Sequence, residues 1–227
     1  MNMDTNMDTE RARFNMVEQQ IRPWEVLDTR VLDLLHKVPR EQFVSDAYKA
    51  LAFADLEIPL VPEGHGEAML SPKVEARMVQ ELAVTAGDRI LEVGTGSGYL
   101  TALLAKLGEH VYSVDCIEEF TKSAGARLAA QNINNVTLET GDAASGWDKH
   151  GPYDVIAVTG SVPVLADNFL KSLKPGGRLF AVVGEAPVMD ARLITKSAQG
   201  DGCGTASLFE TCIRALRNAP RRSRFSF

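Results

Sequence analysis

The chain has 227 residues, 45% hydrophobic and 24% charged, as in an ordinary globular protein able to bury one substantial core. Its formal net charge of -6 and pI near 5.3 argue against a nucleic-acid backbone as the main partner, since that binding needs a basic face, and leave a small molecule or a protein. No apolar run approaches the roughly 18 to 20 residues that span a bilayer, and the acidic start lacks the flanks of a signal peptide, so the expectation is a cytoplasmic protein with no membrane partner.

The start repeats NMDT over residues 2–9 and reads as a disordered stretch, residues 1–10. From Thr9, a candidate cap, Phe14, Val17, Ile21, Val31, Leu34, Leu35 and Val38 recur at helical spacing, interrupted by Pro23 and Pro39. Residues 53–72 hold three prolines and two glycines and read as an extended loop. Residues 11–70 thus form a helical section and a loop, expected to cover a ligand held by the rest of the chain, 71–227.

Ser71-Pro72 opens a helix to about Ala83, serine suiting the cap and proline the first turn. Strands are expected over Arg89 to Val93, His110 to Val114, Val136 to Glu139, Asp154 to Val158 and Arg178 to Val183. Helices are expected over Tyr99 to Leu107, Glu118 to Gln131 and Val164 to Leu173. This alternation predicts an α/β fold with a doubly wound, mostly parallel sheet. Gly176-Gly177 reads as a helix stop, and the tail after Ser197 as one or two antiparallel edge strands, for instance Leu208 to Leu216. Cys116, Cys203 and Cys212 show no CxxC spacing, so neither disulfide nor metal is expected, and Cys116 reads as a small apolar residue beside a strand.

The chemistry concentrates in ILEVGTGSGYLTALLAKLG, where an apolar strand enters a glycine-rich turn and a helix leaves it. Glycines allow close approach of a ligand, and a helix start offers unpaired N–H groups. Asp115 ends the next strand, 23 residues after Glu92, and Gly141-Asp142 ends the third. All three carboxylates therefore fall at strand carboxyl ends, where open α/β sheets bind ligands. The loop reads Glu-x-Gly-x-Gly-x-Gly and not the GxGxxG of dinucleotide sites, which disfavours a nicotinamide oxidoreductase.

At this loop the chain resembles class I methyltransferases, which implies S-adenosyl-L-methionine as cofactor. The resemblance places Glu92 near the methionine amino group, Gly94, Thr95, Gly96 and Gly98 under the methionine and ribose, Asp115 on the ribose, and Asp142 with Ala143 beside adenine. A closer similarity covers roughly residues 14–185: MVEQQIRP, VLDLLHKVPREQFV, AFADLEIPL, SPKVEARM, LEVGTGSGY, YDVIAVTG and LKPGGRLFAVVG resemble the protein-L-isoaspartate O-methyltransferase family in order and spacing. That resemblance implies methylation of an isoaspartyl carboxylate in a protein or peptide, the first step of protein repair. The chemistry needs no general base, because a carboxylate with a pKa near 4 is already ionised at neutral pH; it needs the reacting atoms held in line.

The chain departs from that family at Ala68-Met69-Leu70-Ser71-Pro72, where the family's functional serine falls on Leu70 and its threonine on Ala68. Ser71 is one position late, and two readings stand: a catalytic hydroxyl moved into place, or a helix cap. Gly160-Ser161-Val162 replaces the family's small alanines, and the tail lacks its Phe-Val-Pro-Leu ending. Two rival functions stand beside the first: the same scaffold with another methyl acceptor, and a cofactor-binding protein without turnover. Of the remaining candidates, His65 reads as a solvated loop residue, His36, His110 and His150 show no ligand spacing, and Trp24 and Trp147 read as packing. The arginines at 214, 217, 221, 222 and 224 read as a solvated basic tail. Oligomeric state is not legible.

Overall fold

The computed structural model describes residues 3–61, 66–199 and 201–221. Helix begins earlier than the polar start suggested. α1 (Met3–Asn15) runs through the described part of the NMDT repeat and Thr9. Methionine, glutamate and arginine favour helix, and no proline precedes Pro23. The far end of α1 is anchored by Arg13, which pairs with Glu10 and Glu41, each at 2.7 Å. The backbone continues with π geometry over Met16–Ile21 and 3-10 geometry over Arg22–Trp24, whose first turn accommodates Pro23. α2 (Thr29–Lys37) is capped by Asp28, which accepts the Arg30 N–H at 2.9 Å. Within 53–72 the chain forms a small hairpin, β1 (Ile58–Pro59) antiparallel to β2 (Ala68–Met69).

The remainder alternates as the patterning requires: α3 (Pro72–Leu82), β3 (Arg89–Val93), α4 (Tyr99–Leu107), β4 (His110–Asp115), α5 (Glu118–Ala130), β5 (Val136–Thr140), β6 (Tyr153–Val162), α6 (Asp167–Lys171) and β7 (Leu173–Glu185). β8 (Val188–Lys196) and β9 (Cys203–Thr211) follow. The seven strands order as β5-β4-β3-β6-β7-β8-β9, the first five parallel and the last two antiparallel. Strand order reverses beside β3, so a crevice opens between the carboxyl ends of β3 and β6.

Three boundaries differ from expectation. β6 runs four residues past Val158, and α6 is only five residues long, because Leu173 pairs with Tyr153 and is drawn into β7. Gly176-Gly177 lies in a bulge of β7 and not at a helix end; Gly176 has φ 75°. The antiparallel edge begins at Val188, ahead of the expected tail strands, and β9 ends at Thr211, five residues short of Leu216.

One hydrophobic cluster joins Met16, Val17, Leu35 and Phe43 to Met78 and Leu82 of α3, Leu103 of α4 and Val155 and Phe180 of the sheet. The N-terminal section therefore packs on the sheet through a shared core. Phe169, Leu91, Ile156 and Leu179 fill a second cluster. Burying each such side chain stabilises the fold by roughly 1.5–3 kcal/mol.

Candidate active site

β3 delivers Glu92 and then the turn Gly94-Thr95-Gly96-Ser97-Gly98, in which all three glycines have positive φ, 97°, 51° and 84°. At Gly94 a Cβ would lie 2.2 Å from Thr159 Oγ1, so only glycine lets β6 approach there. Thr159 Oγ1 sits 2.9 Å from the carbonyl oxygens of both Val93 and Gly94 and ties the turn to β6 across the crevice.

A cleft of about 550 Å³ occupies the crevice, lined by Glu92, Gly94, Thr95, Gly96, Asp115, Asp142 and Ala143 together with Leu60, Met69, Leu70 and Thr159. Seven sequence-derived candidates thus meet in one wall. Gly98 does not join them: it caps α4 and packs on Ala124 of α5, where a Cβ would lie 2.9 Å from that of Ala124. Ser71 also lies outside the lining, while its neighbour Leu70 is part of it. By backbone geometry Ser71 is the N-cap of α3, yet its side chain makes no capping hydrogen bond; its carbonyl accepts from Val74 and Glu75 instead. The Ser71 hydroxyl thus makes no capping hydrogen bond and does not line the cleft.

Glu92 is fully buried. One carboxylate oxygen accepts from Ser113 at 2.6 Å and Thr101 at 2.5 Å, and the other, Oε1, has no partner. Burial pushes the carboxyl up to about 8, against the pull of the two hydroxyls. A buried, half-satisfied carboxylate in the wall of a cleft is costly unless a donor or cation arrives there. Asp115 is braced by the N–H groups of Gly96 and Ile117, each at 2.9 Å, and burial raises its pKa. Thr95 Oγ1 lies 2.7 Å from Ser113 Oγ, completing a hydroxyl network beneath the turn.

Several site residues carried no assignment from sequence. Arg40, fully buried, donates to the Ala52 carbonyl at 2.9 Å and the Leu70 carbonyl at 2.7 Å and pairs with Glu75, which lines the cleft. Burial pushes the Glu75 carboxyl up to about 7 against the pull of Arg40. The Arg40 guanidinium also lies 4.8 Å above the Tyr99 ring. The available signal was the VPREQFV motif; its arginine is the one polar residue of that run that folds into the core.

The segment after β9 supplies the far wall. Arg214, Leu216, Arg217, Asn218 and Arg221 line the cleft, Arg217 pairs with Glu67 beside β2, and Asn218 donates to Asp142 at 2.9 Å. The nearer tail arginines therefore reach the site; Arg222 and Arg224, like His65, lie outside the described residues. Cys116, read from sequence as a small apolar residue beside a strand, follows β4 directly, is exposed and lines the cleft. A second cavity of about 670 Å³ adjoins across Arg214, Ala215 and Leu216 and is bounded by Glu57, Ser161 and Glu185. Trp24 packs edge-on against Phe209 at 5.3 Å, and Trp147 donates to Glu139 at 2.7 Å. Among the described residues no helix is long and apolar enough to cross a membrane.

A doubly wound, mostly parallel sheet whose first long strand enters a glycine turn, with carboxylates at three strand ends, defines a Rossmann-like methyltransferase. The family described as protein-L-isoaspartate(D-aspartate) O-methyltransferase matches residues 11–208. A relative from Pelobacter propionicus, protein-L-isoaspartate O-methyltransferase 2, is 36% identical over 88% of this chain and 88% of its own. One from Vibrio parahaemolyticus is 39% identical over 86% and 88%. A solved protein-L-isoaspartate O-methyltransferase superposes with a TM-score of 0.78 at 24% identity over 92% of this chain, which spans 65% of that protein's length. A Plasmodium falciparum structure, described as a putative enzyme of the same kind in complex with S-adenosyl-L-homocysteine, superposes with a TM-score of 0.74 at 20% identity over 92% and 97%. The chain belongs to the protein-L-isoaspartate(D-aspartate) O-methyltransferase family.

Proposed function

We propose that the chain binds S-adenosyl-L-methionine in this cleft and transfers its methyl group to the carboxylate of an L-isoaspartyl residue in a protein or peptide. The observation that carries this reading is the unpartnered Oε1 of Glu92, a buried acceptor two residues before the first glycine, suited to an ammonium group. Asp115 is suited to the two ribose hydroxyls, and Asp142 with Ala143 to the adenine edge. When bound, the cofactor supplies an electrophilic methyl group on a sulfonium. The protein's part is then to hold the acceptor in line and keep water away, the work of the Leu60, Met69 and Leu70 wall.

Arg214 and Arg221 border both cavities, so an anionic acceptor enters past cations. Residues 11–70 serve as the cover, and residues 71–227 as the cofactor domain. Three free cysteines fit a cytoplasmic setting, and the acidic chain fits a protein partner rather than a nucleic acid.

A second reading, the same chemistry on a different carboxylate, is favoured by one observation: Leu70, not a hydroxyl, lines the cleft at the position the family gives to serine. Labelled methyl transfer to paired peptides, one with L-isoaspartate and one with aspartate, decides between them. Transfer to the first alone supports the isoaspartyl reading; cofactor binding with no transfer to either peptide sinks it.

A further inference from the structure

Glu75 stands in the first turn of α3, is only 3% exposed, and lines the cleft with the little surface it keeps. A glutamate is ordinary in an exposed first turn and rare in a buried one, where it needs a partner. Among the described residues its Oε2 accepts from Arg40, and its Oε1 accepts from no group.

Glu92 lines the same cleft with its own Oε1 unpartnered. Burial first, and then the charges of Asp115 and Glu75, hold the Glu92 carboxyl up, so the two glutamates are near enough to repel. Arg40 offsets one of the two charges, and each of its nitrogens is engaged: Nε donates to the Ala52 carbonyl, Nη1 to Glu75 and Nη2 to the Leu70 carbonyl. Two buried carboxylates with this one guanidinium remain one positive charge short.

An ammonium group has three N–H donors, and Glu92 Oε1 satisfies one of them. The backbone carbonyls around the glycine turn are already committed. Those of Val93 and Gly94 lie 2.9 Å from Thr159 Oγ1, that of Val114 accepts from Gly94 at 2.8 Å, and that of Asp115 accepts from Gly141 at 2.9 Å. A free carboxylate oxygen is a stronger acceptor for a cation than a neutral carbonyl that already has a donor.

We propose that Glu75 Oε1 is a second acceptor for the ammonium group of S-adenosylmethionine, which Glu92 and Glu75 hold between them. The inference rests on the cofactor reading above. Through Arg40, Glu75 also connects that group to the Leu70 carbonyl, so the amino end of the cofactor and the loop that walls the cleft are held by one chain of contacts.

The test measures, by calorimetry on the full chain, the binding of S-adenosylhomocysteine and of its deamino analogue, which keeps the carboxylate and lacks the ammonium. Wild type should prefer S-adenosylhomocysteine. Glu75→Gln keeps the side-chain shape and an oxygen for Arg40 while removing the charge. It should cut that preference by roughly ten- to a hundredfold, the scale of a hydrogen bond to a charged group, and leave the deamino analogue bound as in wild type or tighter. Should Glu75→Gln fail to fold, Arg40→Met combined with Glu75→Leu removes the buried pair whole, and the same fall in preference is expected of it. A variant that weakens both compounds alike, with the preference unchanged, overturns the inference and makes Glu75 a structural partner of Arg40 only. Loss of preference in Glu92→Gln with none at Glu75 also overturns it and leaves the cofactor reading standing. Wild-type protein that binds neither compound, or shows no preference, overturns the inference together with the ammonium assignment of Glu92.

Discussion

The buried guanidinium of Arg40 donates to the carbonyl oxygen of Leu70 at 2.7 Å, so a residue from the N-terminal section sets the position of the loop that walls the cleft. Because Arg40 also pairs with Glu75, its removal leaves a buried carboxyl without its partner. Arg40→Met should therefore cost roughly 3–5 kcal/mol of stability, the scale for breaking a buried pair from one side. Urea denaturation checks this. The double variant Arg40→Met, Glu75→Leu should recover much of the stability, and no recovery would mean that Arg40 acts mainly through its carbonyl contacts.

Glu92 makes stability depend on pH with a definite sign. Its ordinary pKa is 4.5, and burial raises it to about 8 in the folded chain. Between those values the unfolded chain holds fewer protons than the folded one, so stability without cofactor falls as pH rises through this window. Glu92→Gln should flatten that slope and bind the cofactor less tightly. Binding of S-adenosylmethionine near neutral pH should release a proton, seen by calorimetry as a dependence of heat on buffer ionisation enthalpy. Equal heats in all buffers would contradict it.

Asp115→Ala should weaken the cofactor by roughly 1 to 3 kcal/mol, the scale of hydrogen bonds to a charged group. The carboxylate also braces Gly96 and Ile117, so the unliganded melting temperature should fall as well. A ligand-induced melting shift as large as in wild type would refute the ribose assignment.

Leu70→Ser places a hydroxyl in the cleft wall where the family has one. Turnover of an isoaspartyl peptide should rise while cofactor affinity stays level, because the cofactor contacts assigned above lie on other residues. Ser71→Ala should change turnover little and stability by less than a typical cap, since the Ser71 side chain makes no capping bond. Steady-state kinetics and thermal melts separate the two.

The tie between Arg217 and Glu67 spans the mouth of the cleft. Arg217→Ala should speed cofactor dissociation with little change in melting temperature, because both partners are partly solvated. Stopped-flow release of S-adenosylhomocysteine reads this directly, and an unaltered rate would leave the pair without a role in closure.

Local pattern determined the alternation of strands and helices from Arg89 to Glu139, the glycine turn and the three carboxylates at strand ends, since periodicity and turn chemistry act over a few residues. The same local signals left Ser71 between a cap and a catalytic hydroxyl and assigned the nearer tail arginines to solvent, because nothing in a short window says what stands opposite. Tertiary structure decided those points. It turned Leu70 into the cleft, folded Arg40 under it, brought Arg214, Arg217 and Asn218 back over Asp142 and Glu67, and left Glu92 with an unpartnered oxygen. These depend on contacts between residues distant in the chain, from Thr101 nine positions after Glu92 to Arg217 150 positions after Glu67, whose energies come from burial and charge pairing in the folded core and not from the propensity of any one segment.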